Sequence, residues 1–177
     1  MSVQNAIQTL SRRLLILLWV ILLFTPLSIT FIWFYGTLVE SASGVSLEFS
    51  FDVSLPLTVG KSLMGYPFAL LPSLVYMAII WQLICLFRLY QLGDVFTQAN
   101  VSCFRRIANL MIATPVISVL SDMLLGAVLS IGQENFNIGF TIDDSDLTIL
   151  LIGLTVRAIS HVMTLAKDIK EENELTV

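Results

Sequence analysis

Four apolar stretches, at roughly 14–36, 65–87, 107–131 and 147–166, decide most of what this chain can fold into. Each is long enough to cross a hydrocarbon core, which takes about 20 helical residues. In lipid no water is at hand to satisfy a free N–H or C=O, so a spanning segment must bond its own backbone, and a helix does so. Composition agrees: 56% of the side chains are hydrophobic and 12% charged, against about 45–50% and about 25% in soluble domains. The expectation is one four-helix membrane domain over residues 1–177. Arg12 and Arg13 before the first stretch and "SAS" at 41–43 loosely resemble a secretory signal with its cleavage site. The apolar core is too long for a signal, so helix 1 is expected to be retained; cleavage would leave three helices.

Basic residues set the expected orientation, because Lys and Arg beside spans stay preferentially in the cytoplasm. Arg12 and Arg13 precede helix 1, Arg88, Arg105 and Arg106 surround the connection between helices 2 and 3, and Lys167 and Lys170 follow helix 4; Lys61 alone lies on the other side. Both termini are therefore expected to be cytoplasmic. The net charge of −4 comes largely from acids in the outer loops and the tail, and gives no signal for nucleic-acid binding. Cys85 and Cys103 lack a CxxC spacing, and near cytoplasmic helix ends they are expected to be reduced structural thiols.

The two outer loops carry a different period. In "VSLEFSFDVSL", residues 45–55, apolar and polar residues alternate, and "NFNIGFTID", residues 135–143, places Phe136, Ile138, Phe140 and Ile142 on one face. Alternation with period two marks a strand with one buried face. Both loops fall on the same side of the membrane, so they are expected to pair as a two-stranded extracytoplasmic sheet. A two-stranded ribbon is marginal alone, so this one would have to lie on the helix ends, as a lid or as an edge open to another strand. Trp33 and Tyr35 in "FIWFYG" are expected in the outer aromatic belt.

Asp122 and Arg157 lie within spans, where charge is costly enough to be a functional hypothesis by default. Counted from the expected helix ends at about 1.5 Å per residue, they sit roughly 14 and 15 Å deep. An ion pair between them across helices 3 and 4 is the simplest accommodation. Small and polar residues repeat every four around them, Ser118 and Gly126 on helix 3, Gly153 and His161 on helix 4, with Ser160 and Thr164 adjoining, as close membrane packing uses. This seam reads either as a register-fixing pair or as a polar pathway.

His161 is the one histidine and has no Cys, His or carboxylate cluster around it, so packing rather than metal ligation is expected. Met64, Met77, Met111, Met123 and Met163 read as gap-fillers, and Pro67, Pro72 and Pro115 as helix kinks. No catalytic triad, paired-carboxylate cleft or phosphate-binding glycine loop is visible; no cofactor and no enzyme activity are expected.

Between helices 2 and 3, Gly93 is a helix stop and Thr97 a candidate N-cap, with Val101, Phe104 and Ile107 starting an amphipathic turn that runs into helix 3. The chain ends in "KDIKEENELTV", a charged continuation of helix 4. "GDVFTQANVSCFRRIANL" at 93–110 and "KEENELTV" at 170–177 resemble the bacterial domain of unknown function 2975 (DUF2975) family of small integral membrane proteins, with its Gly-x-x-Phe-Thr-x-x-Asn, Arg-Arg-Ile and acidic Leu-Thr-Val-type ending. The four-span layout is similar too, so the likeness covers nearly the whole chain. Arg157 and His161 depart from the apolar or acidic residues expected there, and Cys103 interrupts the basic stretch, which leaves the ion pair without family support.

The resemblance carries no established activity. Members are often encoded beside a small helix-turn-helix regulator, which implies a membrane partner that sequesters or signals to a transcription factor. In this chain the contact surface so implied is Gly93, Phe96, Thr97, Asn100, Arg105 and Arg106, together with Glu172 and Leu175 of the tail. The bland alternative is that the arginines only anchor the positive-inside boundary. A regulatory or signalling protein with a cytoplasmic protein partner leads. A small transporter, channel or accessory subunit using Ser118, Asp122, Arg157 and His161 comes second, and a purely structural membrane protein third. The lipid bilayer is a partner in each; a homo-oligomer stays open.

Overall fold

A computed structural model describes residues 3–39, 55–93, 97–131, 139 and 141–175. The chain forms helices α1 (Val3–Leu38), α2 (Val59–Leu92), α3 (Gln98–Leu129) and α4 (Asp144–Leu175). All four are long and apolar enough to cross a membrane, which marks a multi-pass membrane protein. They run 36, 34, 32 and 32 residues, well past the length a bilayer demands. Between α2 and α3 two caps set the ends. Gly93 stops α2 in the left-handed region (φ 88°), where its N–H reaches the Leu89 and Tyr90 carbonyls. Thr97, extended at φ −120° and ψ 158°, then opens α3 by accepting from the Asn100 N–H.

The fold is all-α. Among the described residues there is no β-strand, so the expected two-stranded sheet is not supported. Residues 45–54, 135–138 and 140 lie outside the described residues, but the described ends of both stretches serve helices instead. Leu55 packs against the apolar cluster of Trp33, Leu57, Leu125 and Leu129, and the Leu57 N–H donates to the Thr37 carbonyl at 2.7 Å. At the other stretch the Asp143 N–H donates to the Asp146 carboxylate at 3.3 Å, and the Asp146 N–H returns to the Asp143 carbonyl at 2.9 Å. Those bonds start α4. Alternation reports only which faces differ in polarity, whereas a strand also needs a partner.

Consecutive helices pack antiparallel, α1 on α2, α2 on α3 and α3 on α4, and α1 and α4 form no comparable interface with each other. The molecule is a row with α2 and α3 inside. One end carries Arg12, Arg13, Arg88, Arg105, Arg106 and Lys167 and is called the basic end below. There Leu15, Leu18 and Ile84 join α1 to α2, and Leu86, Cys103 and Ile107 join α2 to α3, with Val156 of α4 packed on them. At the opposite end Trp33, Leu57, Leu125 and Leu129 tie α1, the approach to α2, and α3 together. Exposed Leu, Ile, Val and Phe cover the outer faces of α1 and α4, as lipid contact requires.

Trp33 corrects an expectation. Rather than standing in an aromatic belt it is 5% exposed, and its indole N–H donates to the Ser62 carbonyl at 3.0 Å. Thr37 and Ser62 hydroxyls meet at 2.7 Å beside it, both fully buried. Lys61, the exception to the basic bias, donates to the Leu129 carbonyl at 3.3 Å and so satisfies the last turn of α3.

Candidate functional site

The polar seam expected between α3 and α4 does not converge. Three observations fix the register of that interface. A Cβ on Gly153 would lie 3.0 Å from Met111 Cβ and 3.1 Å from the Ile112 nitrogen. Arg157 Nη1 donates to Asn109 Oδ1 at 2.8 Å, and the Ser160 hydroxyl to the Val101 carbonyl at 3.4 Å. Asp122 lies thirteen residues beyond Asn109 on α3, about 20 Å of helical rise away.

A guanidinium held on Asn109 cannot also reach Asp122, so the Asp122 to Arg157 ion pair is corrected to an Arg157 to Asn109 hydrogen bond. The error was one of depth. Because α3 ends at Leu129 and α4 already begins at Asp144, Asp122 lies shallower and Arg157 deeper than counted, and Arg157 faces the first third of α3, one turn from exposed Arg105 and Arg106. Ser118 and Asp122 stay together, half-buried, toward the other end, whereas His161 is exposed on α4 below Arg157. Asn109 is the residue the sequence reading missed; its signal was a lone amide four residues after Arg105 on an otherwise apolar stretch.

A double-mutant cycle tests this geometry. Asp122→Asn and Arg157→Met are expected to be additive within about 0.5 kcal/mol, as for distant sites. Asn109→Leu with Arg157→Met should instead show a coupling of about 1 kcal/mol, the size of one hydrogen bond involving a charged group near water. Unfolding in mixed detergent micelles measures both.

At the basic end the expected contact residues separate into two groups. Asn100 is fully buried, with Val101 and Cys103 around it, so it holds the start of α3 and does not present itself to a partner. Gly93 and Thr97 shape the connection through their backbone and cap geometry. Arg105, Arg106 and Glu172 are exposed; Phe96 lies outside the described residues, and Leu175 ends α4. With Ser160 opposite Val101, α4 passes the first residue of α3 and continues for several further turns, on the order of 15 Å. That segment carries Lys167, Asp168, Lys170, Glu171, Glu172 and Glu174 in sequence, and Lys167 meets Asp168 at 3.4 Å.

A family model described as protein of unknown function (DUF2975) matches residues 14–177. No curated protein and no solved structure matches the chain.

Proposed function

The chain belongs to the DUF2975 family, and from that premise we propose that it is a non-enzymatic regulatory membrane protein that binds a soluble protein partner at its basic end. Both termini, and with them this end, are cytoplasmic in this reading. The observation that carries it is the continuation of α4 past the start of α3 as a charged helix. From Lys167 onward that segment is mostly charged, with Ile169, and Leu165 just before it, as exposed apolar side chains, and an isolated helix that short is marginal in water. Grown from an anchored span it avoids the nucleation cost and carries its mixed charges roughly 16 Å beyond the level of the exposed Arg105 and Arg106. The partner class implied by the family resemblance is a helix-turn-helix regulator.

The transport reading is weaker, because Arg157 lies at the level of Asn109, about 20 Å along α3 from Asp122. A photoreactive side chain at Glu172 or Arg105, in intact membranes, is expected to capture a soluble protein, and the same group at Met64, near the opposite end, is not. Removing residues 167–177 should abolish capture while the shortened protein still inserts. Capture of lipid and of copies of this chain alone would overturn the proposal.

A further inference from the structure

The α1–α2 interface carries a second feature at the basic end, on the side of α2 away from α3. Trp19 of α1 and Trp81 of α2 meet edge to face, with ring centroids 5.9 Å apart. Seven residues from each, two helical turns toward the basic end, stand Arg12 on α1 and Arg88 on α2. A spacing of seven returns a side chain to the same flank of a helix. Because the helices run antiparallel, the level that pairs Trp19 with Trp81 also pairs Arg12 with Arg88. Both arginines are exposed, and Trp81 is 44% exposed.

The Arg88 guanidinium does not extend outward from the basic end. It lies 5.9 Å from the centroid of the Trp19 ring. Helical side chains lean toward their own N-terminus, so Arg88 leans toward the middle of the molecule and Trp19 leans back to meet it. A cation is thus held on an aromatic face, and Arg12, level with Arg88 along the helices, leans the other way, toward the N-terminus of α1.

Among the described residues no carboxylate is paired with either arginine. Neither α1 nor α2 contains an Asp or Glu, and α3 packs on Leu86, on a different side of α2. The ion pair of Lys167 with Asp168 lies on α4, away from both arginines. Packed helices stand about 8–10 Å apart, a gap that one phosphate held by two guanidinium forks can bridge. Tryptophans at headgroup level and basic pockets between spans are what an anionic headgroup meets.

We propose that the flank formed by Arg12, Trp19, Trp81 and Arg88 holds the headgroup phosphate of one anionic phospholipid, with the acyl chains lying along the exposed apolar face of α1. This ligand would supply the negative charge that α1 and α2 lack. It also separates the roles of the arginines, since Arg105 and Arg106 are left for the soluble side.

The test is lipid retention by the full chain, purified from nanodiscs of phosphatidylcholine with phosphatidylglycerol and read by native mass spectrometry. The wild type is expected to keep one phosphatidylglycerol in preference to phosphatidylcholine. Arg12→Gln and Arg88→Gln should each weaken retention about fivefold, the size expected for one basic residue at an anionic surface, and the two together more than either. Arg105→Gln with Arg106→Gln should leave it unchanged, and Arg88→Lys should keep part of it.

Three results would overturn the proposal: no preference for phosphatidylglycerol in the wild type, equal losses from both arginine pairs, as a general positive-inside effect predicts, or displacement of the lipid by millimolar inorganic phosphate, as a free-anion site predicts. The Gln variants lie on an exposed flank, and an unchanged thermal transition in detergent shows that they fold.

Discussion

Trp33→Ala is expected to be the most destabilising single substitution in this chain, by about 3–5 kcal/mol, the range for removing a large aromatic side chain from a core. Two terms add. The indole fills the junction where α1, the approach to α2, and α3 meet, against Leu57, Leu125 and Leu129, and lipid tails cannot refill a space enclosed by protein. Its N–H also satisfies the Ser62 carbonyl, in a region where an unmet polar group is costly. Trp33→Phe separates the terms: it keeps most of the volume and should cost nearer 1 kcal/mol, the net worth of the lost hydrogen bond. Reversible unfolding in mixed micelles measures both. A value for Trp33→Ala below that for Trp33→Phe would show that the ring does not hold the three helices together.

Gly153→Leu should be nearly as severe by the opposite mechanism. A Cβ at position 153 already meets Met111 Cβ at 3.0 Å and the Ile112 backbone nitrogen at 3.1 Å, and backbone cannot swing aside as a side-chain end can. Overpacking costs about 1–3 kcal/mol for a few extra carbons. A leucine here forces α4 off α3, so the loss should reach about 3 kcal/mol. With α4 displaced, the Arg157 to Asn109 and Ser160 to Val101 bonds should open as well.

The readable signature is a disulfide crosslink between cysteines placed at Asn109 and Arg157 in a background without Cys85 and Cys103, formed in the parent and lost in the Gly153→Leu variant. Gly65→Leu is the comparison. A Cβ at 65 meets the Leu125 methyl and the edge of the Trp33 ring at 3.0 Å. The leucine end can yield and the ring cannot, so an intermediate loss is expected.

The number and approximate position of the spans were legible from composition and length alone, because hydrocarbon leaves the backbone one economical answer. The stop at Gly93 and the cap at Thr97 were legible too, since each rests on the local conformation of one residue. The charged continuation of α4 was legible as well, and the helix runs to Leu175. For the two alternating loops period two identifies a pattern of faces, while a strand also needs a partner, and no strand is found among the described residues.

What the sequence determined by itself was the inventory: four spanning helices, a basic end, and a few polar residues obliged to find partners in or near lipid. Which partners they found was decided only by the tertiary structure. The periodicity of one helix shows which residues share its face, but the level at which that face meets its neighbour is set by packing between helices, here by Gly153 seated on Met111 and Ile112. That one contact slides Arg157 onto Asn109 and away from Asp122. On the other side of the row the fit of Trp19 to Trp81 brings two arginines level with no acid on either helix.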